Sequence, residues 1–251
     1  MRAVLHAAGE LAPIQSALAA LRAQHGAAAT RGVAPDLVVR DPEGWLPAAA
    51  LADGSAVPEL LSCANVRWGG SRAASAALAW KSYTYWLALP ALLGYATVSR
   101  VPDLSPANVL FRVPVTTPFL QVGLRTATVA ALPDDPAAGR PGVRVVGDVC
   151  GYLRATLLHG HLLPVLDRLR DEVNLGRRTL LGSVASGVAH ALVQARDVLP
   201  GPVAEIAKDV LTTLGVEDLV EITPDLEVRR RTCCLAFTLP QPKICRSCCI
   251  R

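Results

Sequence analysis

Aromatic residues are scarce in this sequence, since Phe, Trp and Tyr together make up only 4% of its 251 residues. The interior must therefore be built mainly from small and aliphatic side chains. With 51% hydrophobic residues, the chain can bury a substantial core within one large domain or two small ones. Its 19 Gly and 19 Pro, together with abundant Ala and Leu, indicate helices separated by loops.

A long apolar run is also missing. The longest uncharged apolar stretch, residues 84–98, is shorter than the roughly 18 residues that a membrane-spanning helix needs. Near the start, Glu10 and Pro13 interrupt the apolar pattern, so we expect neither a signal peptide nor a transmembrane segment. These features favour a cytoplasmic location, where clustered cysteines are more often metal ligands than disulfides.

Two nucleotide-binding signatures are absent. The sequence contains no G-x-G-x-x-G, and the GSVASG at residues 182–187 lacks the lysine of a P-loop. We therefore expect the protein to bind neither nicotinamide nor nucleotide itself. Nucleic-acid binding is disfavoured because the basic residues concentrate in one short segment whose only aromatic residue is Phe237.

That segment, residues 229–251, holds most of the thiols and the surplus positive charge. It contains six basic residues, no acidic residue and five of the seven cysteines. Subtracting these six charges from the formal net charge of +4 leaves residues 1–228 at about −2. We call residues 229–251 the cysteine segment and residues 1–228 the body, and we predict that they are functionally distinct parts.

Hydrophobic periodicity predicts an α+β fold that is predominantly helical, with a β-hairpin and an irregular cysteine segment. Ser71 is a predicted N-cap, and Pro90 is expected to bend or end the helix that follows it. The helices are predicted at about 3–24 with a break at Pro13, from 72 onward, and at 152–173, 179–198 and 203–214. Residues 25–36 are typical of a loop. Stretches rich in β-branched residues, 122–132 and 142–149, flank PDDPAAGRPG and predict the hairpin.

Four cysteines of the segment have the spacing C-C-x10-C-x2-C. They are Cys233, Cys234, Cys245 and Cys248. Four thiolates are the ligand set of a tetrahedral zinc ion or of an iron-sulfur cluster. Paired zinc ligands are usually separated by two to four residues, a rule that only Cys245 and Cys248 obey. Adjacent cysteines in an extended chain point to opposite faces, which a cluster of two irons accommodates more readily than one small cation.

A fifth thiol, Cys249, lies beside this set. It is either an additional thiol next to the site or a ligand in place of Cys248. The two-residue spacing favours Cys248, because it forms a knuckle with Cys245. Arg230, Arg231 and Arg246 are close to the ligands in sequence and should stabilise thiolates and raise the reduction potential of an anionic cluster.

Three consecutive stretches of the cysteine segment resemble the C-terminal signature of the FhuF-type ferric-siderophore reductases. They are RRTCC, the ten residues that follow it, which include Leu239 and Pro240, and then CRSC. The preceding PDLEV is similar to the lead-in of that motif. Weaker similarity extends to ALAWKSYTYWLALPALL, DLSPANVLFR, HLLPVL and LLGSVASGVAHAL, but not to the first 60 residues. The resemblance implies that the four cysteines bind one [2Fe-2S] cluster.

It also implies an enzyme, a ferric-siderophore oxidoreductase. One electron converts siderophore-bound Fe(III), held tightly by hard oxygen donors, into weakly held Fe(II) that can be released in the cytoplasm. We expect a hydroxamate-type siderophore as substrate. Because no nucleotide site is expected, electrons should come from an external donor such as a small acidic ferredoxin, docked on the arginine-rich segment.

Candidate siderophore-binding residues form an aromatic and cationic group, which is unusual in so aromatic-poor a chain. They are Trp68, Arg72, Trp80, Lys81, Tyr83 and Trp86, with Arg230 and Arg231 from the cysteine segment. Trp80, Tyr83 and Trp86 are also spaced as core residues of one helix would be.

Two other functions remain open at this point. The protein could be an iron-sulfur electron carrier without its own substrate, although a carrier needs a smaller body than this one. It could instead be a structural, four-cysteine zinc module that mediates interactions.

Overall fold

Helices make up 50% of the computed structural model and strands 12%, which confirms a predominantly helical α+β fold. The structure describes residues 9–114 and 117–250. In chain order the helices are α1 (Ala12–His25), α2 (Ala49–Ala52), α3 (Val57–Trp68), α4 (Arg72–Val98), α5 (Val149–Leu153), a π-helical segment (Arg154–Leu162), α6 (Leu163–Glu172), α7 (Arg177–Gln194) and α8 (Val203–Leu214).

Most of the predicted helices are confirmed. Helix α8 has the predicted bounds, α7 begins two residues early, and the run from α5 to α6 covers the helix predicted at 152–173. The helix predicted at 3–24 corresponds to α1, whose first turn contains Pro13, where proline is well tolerated. Residues 3–8 of that prediction lie outside the described residues.

Helix α4 runs through the middle of the fold and packs most extensively against α7. Ser71 is its N-cap as predicted, because its Oγ accepts a hydrogen bond from the amide of Ala74 at 3.1 Å. The helix does not end at Pro90 but continues for eight residues beyond it. The residues around Pro90, 87–94, are all buried, and their packing outweighs the roughly 3 kcal/mol cost of an interior proline.

Strands occur at nine places among the described residues: β1 (Val33–Val38), β2 (Leu46–Pro47), β3 (Val101–Pro102), β4 (Val109–Arg112), β5 (Gln121–Leu124), β6 (Val129–Ala131), β7 (Val143–Val145), β8 (Val220–Ile222) and β9 (Val228–Arg230). Within residues 9–114 and 117–250 they form three small sheets. The first has the order β1-β5-β4-β2, the second β3-β6-β7 and the third pairs β8 with β9.

The position predicted for the β-hairpin is wrong. Strands β6 and β7, which flank PDDPAAGRPG, pair in parallel, with Val129 opposite Val143 and Ala131 opposite Val145. The connection between them is held to the rest of the fold by Asp135, whose carboxylate lies 2.7 Å from Nη2 of Arg100. Consecutive strands pair antiparallel elsewhere, β4 with β5 and β8 with β9.

The loop predicted at 25–36 is also partly wrong, since β1 begins at Val33. Its Pro35 and Asp36 have low β propensity. Strand β1 nevertheless forms at the edge of its sheet, where a proline removes no hydrogen bond from the interior, by pairing in parallel with β5.

Two glycines of the body allow the cysteine segment to pack closely against it. A Cβ at Gly182 of α7 would overlap Thr232, and one at Gly70 would lie 2.7 Å from Leu239 Cδ2. The division into residues 1–228 and 229–251 stays a prediction, and β9 lies across that boundary. No helix within the described part of the chain combines the length and the apolarity needed to cross a bilayer.

Candidate functional site

Two backbone hydrogen bonds fold the cysteine segment back on itself. The amide of Arg230 donates to the carbonyl of Ser247 at 3.0 Å, and the amide of Lys243 donates to the carbonyl of Ala236 at 3.0 Å. Residues 233–234 and 245–249 therefore lie on facing arms of one loop. The fold thus brings residues 233–234 near residues 245–249, although ten residues separate Cys234 from Cys245 in the sequence.

The cysteine thiols are not clustered around one point in this structure. The thiol of Cys245 interacts with that of Cys234, and the thiol of Cys249 with that of Cys233. Cys234 is buried and Cys249 is exposed. Across residues 9–114 and 117–250, no three His, Cys, Asp or Glu side chains are arranged to hold a metal ion. A common centre for the four predicted ligands thus requires their side chains to converge further than they do here.

The surroundings of Cys245 favour its thiolate. Burial is the largest single influence and raises the pKa of this thiol, but four other effects outweigh it. These are a hydrogen bond with Ser247, the positive charges of Lys81 and Arg230, and the hydrogen bond with Cys234. The pKa of Cys245 consequently lies below its ordinary value, and a thiolate is the form that ligates metals.

Arg230 is the most informative residue of the site. Its side chain is only 3% exposed, and its Nη2 donates to Ser183 Oγ at 3.2 Å. Its Nε and Nη1 have no hydrogen-bond partner among the described residues, and neither does the nearby Thr232 Oγ1. A buried cation without an anionic partner is strongly unfavourable, so this position calls for an anion.

A four-thiolate [2Fe-2S] cluster would supply the anionic partner that Arg230 lacks among the described residues. Such a cluster is anionic, and its sulfurs accept hydrogen bonds from nearby donors. The four predicted ligands lie on the two arms next to Arg230. The positive charge of Arg230 is one of the effects that lower the pKa of Cys245. The residues present therefore fit the cofactor in charge and in donor type.

The choice between Cys248 and Cys249 stays a prediction. The amide of Cys248 donates to the carbonyl of Cys245 at 3.0 Å, which closes the turn expected of a two-residue knuckle. Cys249 instead contacts Cys233, and burial together with the charges of Cys233 and Cys248 raises the pKa of its thiol. The raised pKa disfavours the thiolate form of Cys249.

A cleft of about 670 Å³ opens beside the cysteine segment. Cys245, Arg246 and Ser247 form part of its wall, and α4 forms another part. Three of the predicted substrate residues, Trp68, Lys81 and Trp86, line this cleft. Aromatic side chains that the sequence analysis did not single out, Tyr85 and Phe119, complete its apolar surface.

Trp80 and Tyr83 lie in the core instead of the cleft. Trp80 is 2% exposed and donates its Nε1 hydrogen to the carbonyl of Leu180 at 2.8 Å. Tyr83 is 1% exposed, and its hydroxyl is 2.6 Å from Nε2 of the buried His161. Neither side chain offers a surface to a ligand, because both point from α4 towards the interior.

The two remaining arginines of the prediction lie at the surface. Arg72 forms an ion pair with Glu172 at 2.7 Å, and Arg231 lies 3.9 Å from Glu221. Neither residue lines the cleft, and both are more than half exposed. The structure does not bring them to the other candidate substrate residues.

Sequence reasoning missed several cleft residues. Arg31, Arg67 and Lys243 line it, although they come from three segments that are far apart in the chain. His190 was missed as well. Its Nε2 is 3.2 Å from Ser247 Oγ, and burial, with the charges of Lys81 and Arg230, lowers its pKa to about 4. His190 is therefore neutral near pH 7 and adds no charge to the cleft.

The chain matches no protein-family model, and a search of curated proteins also finds no match. The resemblance to the ferric-siderophore reductases thus stays a prediction that depends on the motifs quoted above.

Proposed function

We propose that this protein is a cytoplasmic [2Fe-2S] reductase that gives one electron to siderophore-bound Fe(III), so that Fe(II) is released. The observation that carries the proposal is the position of Cys245 in the wall of an aromatic and cationic cleft. A chelate bound there would lie next to the predicted cluster ligands. Short separation between donor and acceptor is what electron transfer to a bound substrate requires.

Cys233, Cys234, Cys245 and Cys248 would hold the cluster, and Arg230 would neutralise part of its charge. When bound, the cluster supplies a one-electron donor, which matches the single electron that ferric iron needs. The residues of the chain bind and orient the substrate. Trp68 and Trp86 offer flat apolar surfaces to the carbon skeleton of a hydroxamate siderophore, and Lys81 offers a hydrogen-bond donor to its oxygens.

The electron donor would be an external acidic protein such as a ferredoxin. Arg229 and Arg246 support this part of the proposal because their side chains are 61% and 90% exposed. Both lie 3.5 Å from Glu227, so the patch is only partly neutralised. Complementary charge of this kind mainly increases the rate of association.

The proposal is tested first by optical spectra of anaerobically purified protein, before and after dithionite, with iron and acid-labile sulfide assays. We expect visible charge-transfer bands that bleach on reduction, and iron and sulfide in equal amounts. A colourless protein with stoichiometric zinc would contradict the redox function. A cluster that is present but does not reduce ferric hydroxamates, measured with a ferrous-iron trap, would identify an electron carrier.

Single Cys→Ser substitutions then test the ligand set. Cys233→Ser, Cys234→Ser, Cys245→Ser and Cys248→Ser should each lose the visible bands. Cys249→Ser should retain them, as should Cys63→Ser, a control in the body. If Cys249→Ser loses the cluster and Cys248→Ser keeps it, the assignment of Cys248 is wrong.

The docking hypothesis is tested with the double variant Arg229→Glu and Arg246→Glu. We expect slower reduction of the cluster by an acidic ferredoxin, measured without siderophore because Arg246 also lines the cleft. Reduction by dithionite should be unchanged. The control is Arg40→Glu, an exposed arginine on another part of the surface. An unchanged ferredoxin-driven rate would exclude this patch as the docking site.

A further inference from the structure

We infer that the cleft selects ferric chelates that carry a net negative charge, such as hydroxamate siderophores with additional carboxylate groups. The inference rests on the proposed function for the identity of the ligand. It adds to that function a rule of discrimination among chelates, which the four cysteines do not provide.

The charge of the cleft wall is the first reason. Five basic side chains line it, and none of its described lining residues is Asp or Glu. The five are Arg31, Arg67, Lys81, Lys243 and Arg246. Among residues 9–114 and 117–250, Arg246 is the only one of the five with an acidic side chain within ion-pair distance. That partner is Glu227, at the long distance of 3.5 Å. Four cations therefore face the cleft without a protein anion.

The second reason is that the predicted cluster accounts for only part of this charge. Lys81 and Arg230 exert their charge on Cys245, one of the predicted ligands. Arg31 precedes β1 and Arg67 is in the last turn of α3, so both come from elements other than the cysteine segment. Their charge is available to a molecule that occupies the cleft.

The aromatic side chains of the wall contribute affinity that does not depend on the charge of the chelate. Trp68 packs against Phe119 with ring centroids 4.5 Å apart, and Tyr85 packs edge-on against Trp86 at 4.7 Å. These rings can cover the carbon skeleton of a chelate whatever its charge. The surrounding cations then decide between chelates of the same size and shape.

Chelate chemistry supplies the last step. Each hydroxamate donor carries one negative charge when it binds iron, so three of them neutralise Fe(III) and leave an uncharged complex. A pendant carboxylate makes the complex negative and can accept paired hydrogen bonds from an arginine. A pendant ammonium makes it positive and is repelled by the same wall.

The test uses three gallium(III) complexes with one tris-hydroxamate cage: desferrioxamine B, its N-acetyl derivative and its N-succinyl derivative. Their complexes carry one positive charge, no charge and one negative charge. Gallium(III) has the charge of ferric iron and is not reduced by the protein, so calorimetric titration measures binding alone. We expect the succinyl complex to bind about tenfold more tightly than the ammonium complex. The neutral complex should fall between them, and added salt should reduce the differences.

The variant Arg31→Gln with Arg67→Gln removes two of the five cations and should weaken this order. Arg168→Gln, an exposed arginine outside the cleft, is the control and should keep the order. Equal affinities, preference for the ammonium complex, or no binding of any complex would each overturn the inference.

Its failure is distinguishable from failure of the proposed function. Reduction of ferric hydroxamates without charge order in binding would remove the inference and leave the reductase. Charge-ordered binding without any reduction would remove the proposed reductase and leave the inference about charge.

Discussion

Two buried arginines of this protein have opposite surroundings. Arg100 in the body donates from Nε and Nη2 to both carboxylate oxygens of Asp135, at 2.8 and 2.7 Å, and lies 3.8 Å from Glu10. Arg230 in the cysteine segment reaches only the hydroxyl of Ser183 and leaves two nitrogens without a partner among the described residues. The body therefore neutralises its own buried cation, whereas the cysteine segment needs an anion from elsewhere.

The largest effect is expected at Arg100. Arg100→Leu removes the cation that pairs with two nearly buried carboxylates, Asp135 and Glu10, and leaves Glu10 with a long contact of 3.6 Å to the exposed Arg140. We expect the free energy of unfolding to fall by about 3 kcal/mol, as measured by urea denaturation. Arg168→Leu, which removes an exposed ion pair with Asp171, is the control and should change it by less than about 0.5 kcal/mol. Similar losses in both variants would show that burial is not the reason.

The next effect concerns the contact that buries Arg230. Gly182→Ala places a methyl group against Thr232 and should displace the cysteine segment, with a loss of about 2 kcal/mol and a lower iron content per protein. The control is Gly187→Ala on the same helix, where the nearest atom is 3.5 Å away. It should be neutral or stabilising by up to about 1 kcal/mol, because alanine favours helix. Equal iron content in both variants would contradict this role of Gly182.

Arg230→Met should have different effects on the protein without its cofactor and with it. Without the cofactor, loss of an unpaired buried cation should leave the free energy of unfolding unchanged or raise it by about 1 kcal/mol. With the cofactor, the reduction potential should fall, because the cation favours the more negative reduced form. Arg231→Met, at an exposed neighbour, should lower the reduction potential by less than Arg230→Met does. A lower stability without the cofactor would show that Arg230 already has a partner.

The smallest effect is a pH dependence in the body. The hydrogen bonds from Arg100 hold the pKa of Asp135 below its ordinary value, although burial partly opposes this. Asp135 therefore contributes stability above about pH 4, the pKa of an unfolded Asp, and loses it as the pH falls towards the lower folded pKa. Urea denaturation between about pH 5 and pH 3 should show a weaker pH dependence for Asp135→Asn than for the unsubstituted protein. Equal slopes would exclude Asp135 as a source of acid sensitivity.

Features determined by residues close together in the chain are the ones that could be predicted. The bounds of α8 follow from Pro202 before it and Gly215 after it, and Ser71 caps α4 as its position predicts. The cysteine spacing is equally local. The parallel pairing of β6 with β7 was not predicted, because turn residues between two β-rich stretches favour a hairpin locally and do not indicate tertiary contacts such as Asp135 with Arg100.

The residues of the cleft could not be predicted for the same reason. Arg31, Arg67 and Lys243 become neighbours only through the tertiary fold, and no pattern in the sequence relates them. Trp80 and Trp86 have similar sequence surroundings, yet the structure places one in the core and the other in the cleft wall. Helical spacing identifies the faces of α4 but does not tell which face the cysteine segment covers.

Helix α4 also separates residues that can vary from residues that cannot. Its cleft face carries Leu78, Ser82 and Tyr85, at the i, i+4 and i+7 spacing of one helical stripe, with Lys81 and Trp86 beside them. Its opposite face is fully buried. Substrate preference can therefore diverge, in evolution or by directed mutagenesis, through changes on one face of a single helix without loss of the fold that the other face maintains.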